Sequence, residues 1–330
     1  MATEIAEPAA AGATQGQNVL EARKLTRVYG EPLAVDSVSF GVRAGEVVGL
    51  VGPNAAGKTT IMRMLTTMLA PSAGGFRVLG YGPDQAGAIR RMIGVFPENS
   101  TALESQTGRA ELQYHARLRG YSKLDAERLA AALLSEVNLE VAADRRVRGY
   151  SRGMRQRLGI ARALIGDPAV IFLDEPTLGL DPAGRRHVLD IILQAAANRG
   201  SAVIVSTHLL DEVERVCDRV LIVDRGQLVA EGTVDELRAR SGLPSRAYVQ
   251  VDGDAEQAVR TMLSLSAVTG VEPGPAGSGE LRVDLDDGSG DAVPALVTAL
   301  IGADGVQLRG FTFEPAGLED VFLALTGGAE

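Results

Sequence analysis

Short apolar runs separated by amphipathic stretches predict an α/β fold for the first part of the chain. The clearest runs, each the length of a buried strand, lie at residues 47–51, 170–173, 202–205 and 220–223. Helical patterns between such runs are typical of a largely parallel sheet with helices on its faces. We therefore expect one α/β domain over residues 18–240.

A stretch with only helical patterns interrupts this domain. Ser122 followed by Asp125 is typical of a helix start, and an apolar residue then recurs every four positions. The recurring residues are Leu129, Leu133 and Val137. The sequence predicts a helical subdomain inserted at about residues 100–165.

The pattern changes again after residue 240, where residues 241–245 predict a linker that contains Gly and Pro. The order strand, helix, strand, strand, helix, strand follows, and it indicates a split-βαβ, ferredoxin-like module. The expected elements lie at residues 247–251, 255–265, 267–272, 280–284, 291–301 and 306–313, with a last helix at 317–325. We expect residues 241–330 to form a small α+β accessory domain with a regulatory role.

Composition narrows the functional classes. The net charge of -9 argues against a nucleic-acid partner, because such binding depends mainly on Lys and Arg. No apolar run approaches the roughly 20 residues of a membrane span, and residues 1–17 predict a disordered tail without a secretory signal. The single cysteine excludes an intrachain disulfide and fits a reducing compartment.

A phosphate-binding loop follows the first of these strands. Residues 52–59 match the pattern G-x-x-x-x-G-K-[ST], between the strand at 47–51 and an expected helix at 60–69. Backbone N–H groups of small residues and the helix N-terminus can surround phosphate oxygens. Lys58 would reach the β- and γ-phosphates and Thr59 would bind Mg²⁺. The expected nucleotide-binding residues here are Gly52, Pro53, Asn54, Ala55, Ala56, Gly57, Lys58, Thr59 and Thr60.

Two carboxylates, Asp174 and Glu175, come directly after the strand at 170–173. They are expected at the carboxyl edge of the sheet, where ligands of such folds bind. Asp174 can hold Mg²⁺ through water, and Glu175 can polarise the water that attacks the γ-phosphorus. Alone, the pair would be interpreted as two solvated charges; with the phosphate loop upstream, we interpret it as catalytic.

Between these two motifs lies a third, residues 150–158, with the sequence YSRGMRQRL. It resembles the signature sequence of ABC proteins in the form seen in drug and antibiotic exporters. Without the other two motifs, residues 150–158 would be interpreted as an ordinary serine N-cap on an Arg-rich helix. Ser151 and Gly153 lie at the start of the expected helix. The resemblance implies that this helix N-terminus meets the γ-phosphate of an ATP held by a second copy of the chain.

The remaining parts of that family pattern occur in order over about residues 19–233. Tyr29 resembles the aromatic residue that stacks on adenine. Asp181 lies in a segment that resembles the loop that crosses to the opposing subunit, and His208 resembles the histidine that contacts the γ-phosphate. Taken singly, a strand-end tyrosine more often packs, and a lone histidine is more often a surface residue. The resemblance makes Glu175, His208 and Lys58 the expected catalytic residues.

Two positions depart from the family pattern. Ala55 stands where the phosphate loop commonly has glycine, and its methyl group restricts the backbone. Glu98 stands where a glutamine usually reaches Mg²⁺ and the attacking water, so it keeps an oxygen ligand but loses an amide donor. We count Glu98 with Thr59 and Asp174 as a metal-site residue.

The resemblance implies a P-loop NTPase of ABC type, with a mostly parallel sheet, an antiparallel β part and the helical insert. It implies ATP and Mg²⁺ as cofactors, a homodimer, and a separate membrane permease as the only membrane attachment, on the cytoplasmic side of a bacterial membrane. The segment GLEDVFLALTG at residues 317–327 resembles the C-terminal motif of daunorubicin-resistance-type exporters, which favours export of a drug, antibiotic or lipid-like substrate. The alternatives are a soluble ABC ATPase of DNA repair or translation, and a nucleotide-gated module that signals without turnover.

Overall fold

The computed structural model of the protein describes residues 18–30, 33–98, 102–274, 280–286 and 292–326. The tail expected at residues 1–17 lies outside the described residues. The chain forms two compact units, one up to Leu228 and one from Val229.

The bounds of the elements follow in chain order. The strands are β1 (Asn18–Val28), β2 (Leu33–Arg43), β3 (Val47–Val51), β4 (Ala73–Val78), β5 (Ile93–Phe96), β6 (Val170–Asp174), β7 (Ala202–Thr207), β8 (Arg219–Asp224), β9 (Gln227–Gly232), β10 (Ser245–Gly253), β11 (Val268–Pro273), β12 (Glu280–Leu285) and β13 (Val306–Glu314). The helices are α1 (Lys58–Leu65), α2 (Ala86–Met92), α3 (Gly108–Leu118), α4 (Lys123–Glu136), α5 (Arg152–Ala163), α6 (Pro182–Arg199), α7 (Leu210–Val216), α8 (Val234–Ser241), α9 (Ala255–Leu263), α10 (Ala292–Ile301) and α11 (Leu318–Thr326).

A parallel sheet forms the centre of the first unit, with the strand order β5-β6-β7-β3-β8. Successive strand residues point to opposite faces. Val170 and Phe172 therefore join one core with β1, β2, β4 and α1, whereas Ile171 and Leu173 join the other with α3 to α6. Both faces are covered, which explains why these strands are continuous apolar runs.

The antiparallel part of the first unit is the sheet β2-β1-β4. Helices α3 and α4 lie within the stretch expected to be helical, and the Ser122 hydroxyl accepts from the Asp125 N–H as a helix cap at 3.1 Å. Leu133 and Val137 are fully buried. The α/β fold with an antiparallel part and a helical insert is confirmed.

The second unit contains an antiparallel sheet with the order β11-β12-β10-β13. Helices α9 and α10 bury Met262, Leu296 and Leu300 against the apolar face of this sheet. The element order is the one that the sequence predicts, so the ferredoxin-like topology is confirmed.

Several bounds differ from the expectations. The linker is shorter than residues 241–245, because α8 continues to Ser241 and β10 begins at Ser245; Gly242, with φ of 64°, ends the helix. Helix α8 lies in the second unit rather than in the first domain, since it packs on α11 and Arg238 Nε donates to the Ala316 carbonyl at 2.9 Å.

The helix after the phosphate loop begins at Lys58 instead of residue 60 and ends at Leu65 instead of residue 69. Thr66 then turns the chain, and its N–H donates to the Met62 carbonyl. Lys58 and Thr59 are therefore the first residues of the helix.

Candidate nucleotide site

The strand order brings three functional segments to one edge of the sheet. Strands β6, β7 and β3 are consecutive neighbours and run in parallel. The residues that follow each strand therefore meet at the carboxyl edge. This edge carries the phosphate loop after β3, Glu175 after β6 and His208 after β7.

The phosphate loop needs glycine at two of its positions. A side chain at Gly52 would begin 2.1 Å from the Val223 carbonyl oxygen, which is inside van der Waals contact. Gly57 has a φ of 107°, a left-handed conformation that favours glycine. These two residues fix the turn between β3 and α1.

The N-terminus of α1 offers unpaired donors. The first N–H groups of a helix lack partners within the helix, and Gly57 provides no side chain to cap them. The first turn also contains no acidic residue. The backbone of Lys58, Thr59 and Thr60 therefore presents partial positive charge to an anion such as a phosphate.

Lys58 lies inside the turn, with only 7% of its surface exposed. Its Nζ donates to the carbonyl oxygens of Gly52 at 2.5 Å and Pro53 at 3.1 Å. Burial lowers the pKa of Lys58, and the attraction of the carboxylates Glu175 and Asp174 opposes that shift. The ammonium group and the acidic pair lie at the same edge of the sheet, after the neighbouring parallel strands β3, β7 and β6.

The outer part of the loop is exposed and contains a strained residue. Pro53, Asn54 and Ala55 are exposed, whereas Ala56 is buried. Ala55 has a φ of 66°, a left-handed conformation that costs an L-residue about 1–2 kcal/mol. The loop keeps the shape of a glycine-containing turn although this position carries a methyl group.

Glu175 and His208 form an ion pair or hydrogen bond across neighbouring strands. His208 Nδ1 lies 2.9 Å and 3.0 Å from the two carboxylate oxygens of Glu175. The Glu175 N–H donates to the Ser206 carbonyl at 2.9 Å, and its backbone has a φ of 49°. Glu175 is mostly buried and His208 is partly exposed, so the pair faces outward from the sheet edge.

Asp174 has the properties of a metal-site carboxylate. It is 6% exposed, and its Oδ1 is buried without a hydrogen-bond partner, as is the Ser206 hydroxyl on the neighbouring strand. An unpaired buried carboxylate oxygen is costly unless a ligand satisfies it. Within the described ranges, no group of three or more His, Cys, Asp or Glu residues could hold a metal alone. The unpaired Asp174 oxygen fits Mg²⁺, which often binds one or two carboxylates together with water and phosphate.

Ser151, Gly153 and Asp181 form local contacts at the starts of two helices. The Ser151 hydroxyl caps α5 by accepting from the Met154 N–H at 3.2 Å. Asp181 caps α6 by accepting from the Gly184 N–H at 3.0 Å. Ser151 and Asp181 are exposed, and Gly153 is half-buried. Among the described residues, these two caps bond within their own helix starts and not to the phosphate loop of the same chain.

Tyr29 and Glu98 lie at strand ends. The Arg27 guanidinium carbon is 4.7 Å from the centre of the Tyr29 ring, which is 42% exposed. Arg27 is not among the residues expected at the site, although alternate strand residues share a face and its spacing from Tyr29 could have revealed the pair. Glu98 is exposed, in the turn that follows β5 and Pro97.

Comparisons with known proteins agree with this geometry. A family model described as ABC transporter matches residues 35–178. The daunorubicin/doxorubicin resistance ATP-binding protein DrrA of Streptomyces peucetius is 38% identical, over 95% of this chain and 94% of its own length. The Nod factor export ATP-binding protein I of Neorhizobium galegae is also 38% identical, over 93% and 85% respectively.

A solved structure of an ATP-binding subunit of an ABC transporter superposes with a TM-score of 0.62. It is 32% identical and covers 68% of this chain and 93% of its own. The matches to the two resistance and export proteins span more of the chain than this, so they include much of the second unit. Among the described helices, none has the length and apolar character of a membrane span.

Proposed function

The chain belongs to the ATP-binding proteins of ABC transporters, and we propose that it energises export by hydrolysing ATP at the edge of the sheet formed by β3, β6 and β7. ATP hydrolysis itself follows from the family. The assignment of individual residues is our proposal. The observation that carries it is the meeting of Lys58, Asp174, Glu175 and His208 at one sheet edge.

The phosphate loop binds the nucleotide. The N–H groups at the start of α1 and within residues 52–57 surround the β- and γ-phosphates, and Lys58 exchanges its bonds to the Gly52 and Pro53 carbonyls for phosphate oxygens. Tyr29 stacks on the adenine. The Arg27 guanidinium lies over the Tyr29 ring and adds a positive charge there.

Glu175 and His208 perform the hydrolytic step. Glu175 accepts a proton from the water that attacks the γ-phosphorus, as a general base. The contact between His208 Nδ1 and the Glu175 carboxylate orients both groups, and it leaves Nε2 of the ring available to the γ-phosphate. Glu175 has a φ of 49°, so the extended backbone of β6 ends at this residue.

Mg²⁺ fits the oxygen donors of Asp174, Thr59 and Glu98, and when bound it would neutralise charge on the phosphates. Asp174 contributes the buried, unpaired oxygen, and Thr59 contributes its hydroxyl from the first turn of α1. Glu98 adds a carboxylate where an amide would be neutral, and therefore raises the negative charge at this edge.

Two copies of the chain complete each centre. Ser151, Gly153 and Asp181 of one copy meet the nucleotide held by the other, because Ser151 and Asp181 are exposed and cap only the first turns of their own helices. A γ-phosphate between the two copies would hold them together, and its loss on hydrolysis would release them. The resemblance in residues 150–158 supports this arrangement.

The transported substrate is a drug, antibiotic or lipid-like molecule that passes through a separate membrane permease. The names of the relatives, which concern daunorubicin resistance and Nod factor export, support this class. The chain attaches to the cytoplasmic side of the membrane through that permease only. Movement of the helical insert and of the Glu98 turn would transmit the state of the nucleotide to the permease.

Residues 241–330 regulate or stabilise the pair. The match to DrrA spans 95% of the chain and therefore includes much of this region, whereas the match to the solved transporter subunit spans 68% of the chain. Deletion of residues 241–330 tests this role and leaves the whole of β9 in the six-stranded sheet. Unchanged pairing and turnover after this deletion would contradict a regulatory role.

The purification of the protein in mild detergent tests the transport proposal. We expect a hydrophobic permease to copurify, identified by mass spectrometry, and to increase the release of phosphate from ATP. Copurification of ribosomes or nucleic acid without a permease would instead support a soluble ABC ATPase. Binding of ATP without release of phosphate would support a signalling module.

A further inference from the structure

A buried side-chain contact joins the segment after Glu175 to the helix after His208. The Thr177 hydroxyl donates to Glu212 Oε2 at 2.5 Å. Thr177 is fully buried and Glu212 is 4% exposed. Glu212 lies in α7, which begins shortly after His208. The segments that carry the catalytic pair are therefore tied together a second time.

The contact extends to the turn that precedes Asp181. The second oxygen of Glu212, Oε1, lies 4.0 Å from Arg185 Nε. The same Nε donates to the Leu180 carbonyl at 3.1 Å, and the Leu180 N–H donates to the Thr177 carbonyl at 3.1 Å. Glu212 thus connects three segments: the turn after Glu175, the helix after His208 and the turn before Asp181.

An acidic side chain at this buried position is costly. Burial raises the pKa of Glu212; the Thr177 hydrogen bond and Arg185 oppose the shift, and the charges of Asp211 and Glu175 add to it. Its neighbours Val213 and Val216 show that the same helix face accepts apolar residues. The hydrogen bond between Thr177 and Glu212 Oε2 favours one arrangement of the two segments that it joins, because another arrangement would leave both buried groups unpaired. Glu212 Oε1 is buried without a hydrogen-bond partner, so Arg185 acts on it only through charge.

We propose that Glu212 is a positioning residue for ATP hydrolysis, which holds the Glu175 turn, the His208 segment and the Leu180–Asp181 turn in one arrangement. Through Thr177 it aligns Glu175 with His208. Through Arg185 it couples that alignment to the turn that is offered to a second copy. The inference rests on the proposed function, since that function assigns Glu175 and His208 to hydrolysis.

The Thr177→Val variant tests the inference, because valine fills nearly the same volume but cannot donate to Glu212. We expect kcat for ATP to fall about tenfold while KM for ATP changes by less than about twofold, since the phosphate loop keeps its contacts. Thr177→Ser keeps the donor and should retain kcat within about twofold of the original protein. Glu212→Gln keeps an acceptor for Thr177 but loses the charge that faces Arg185, and should lower kcat less than Thr177→Val.

Thr66→Val is the matched control. The Thr66 hydroxyl donates to the Met62 carbonyl at 2.8 Å, and the residue is 4% exposed, so this variant also loses a buried threonine bond. We expect both variants to lose thermal stability, but only Thr177→Val to lose turnover. Unchanged kcat in Thr177→Val, or an equal fall in Thr66→Val, would overturn the positioning role.

Histidine NMR provides a readout that does not depend on turnover. The chain has three histidines, so ring signals can be assigned with a His208→Gln variant. Thr177→Val should shift the His208 ring signals, and Thr66→Val should leave them in place. Unmoved His208 signals in Thr177→Val would overturn the inference. A shift of the His208 signals in a protein that does not hydrolyse ATP would support the alignment of His208 through Thr177 and Glu212, but would contradict the proposed function and with it a role in hydrolysis.

Discussion

The catalytic edge and the signature face of the first unit differ in how their side chains are held. We define the catalytic edge as Lys58, Asp174, Glu175 and His208, and the signature face as Ser151, Gly153 and Asp181. At the catalytic edge, Glu175 contacts His208 from a neighbouring strand and Lys58 is buried in the phosphate loop. At the signature face, Ser151 and Asp181 only cap their own helices and are exposed.

This difference shows which side chains of the proposed nucleotide site one chain can hold in place by itself. The catalytic edge uses neighbouring parallel strands, so the fold alone brings its groups together. The signature face uses helix N-termini, whose capping hydroxyl and carboxylate satisfy local donors until an anion replaces them. In the proposed mechanism, a single chain holds its own nucleotide at the catalytic edge and offers the exposed signature face to a nucleotide held by a second copy.

Removal of the Glu175 charge should have the largest effect. Glu175→Gln keeps the shape of the side chain and its contact with His208, but an amide cannot act as a base. We expect ATP turnover to fall about 10²- to 10⁴-fold while ATP binding is retained. Phosphate release and nucleotide binding, measured on the same preparation, check the two halves of this prediction.

Glu127→Gln is a suitable control for the loss of one negative charge. Glu127 is exposed on α4, within the helical insert and outside the catalytic edge. The ATP turnover of the Glu127→Gln variant should match that of the original protein. Near-normal turnover in Glu175→Gln would show that the catalytic edge does not contain the base.

Most of the catalytic edge could be predicted from the sequence, because each of its motifs is a short segment that directly follows an apolar strand. The patterns at residues 47–59 and 170–175 contain both the strand and the chemistry. The contact of Glu175 with His208 depends on the strand order β6-β7-β3, which the sequence alone does not specify.

The sequence was less informative where a contact joins distant segments. Glu212 belongs to an ordinary amphipathic pattern, and only the packing of α7 shows that its carboxylate is buried against Thr177. The place of α8 in the second unit was also missed, since it depends on the contact of Arg238 with Ala316. Local patterns predict elements, whereas such contacts depend on how the elements pack.

Substitution of Ser151 should have the next largest effect and tests the signature face. Ser151→Ala and Ser122→Ala each remove a serine cap, so both should lower the free energy of unfolding by about 0.5–2 kcal/mol. Only Ser151→Ala should lower ATP turnover, by about 10- to 100-fold, because only its hydroxyl would meet a phosphate. Chemical denaturation and phosphate release separate the two effects.

A mixture of two defective chains shows whether the signature face acts on a second copy. Lys58→Ala and Ser151→Ala chains should each have little turnover, but a mixed pair contains one nucleotide site with both intact halves. If pairing is random and the centres are independent, an equal mixture should recover about a quarter of the original turnover. Full turnover in an enforced monomer would contradict the separation of the two surfaces.

The smallest expected effect comes from the backbone strain at Ala55, in the phosphate loop that carries Lys58 of the catalytic edge. Ala55→Gly removes the methyl group from a left-handed residue and should raise the free energy of unfolding by about 0.5–1 kcal/mol. The neighbouring Ala56→Gly should lower it by about 1 kcal/mol, because Ala56 is buried and is not among the described residues with positive φ. Thermal unfolding of the two variants checks the opposite signs. A loss of stability in Ala55→Gly would mean that the methyl group of Ala55 makes favourable contacts that outweigh the backbone strain.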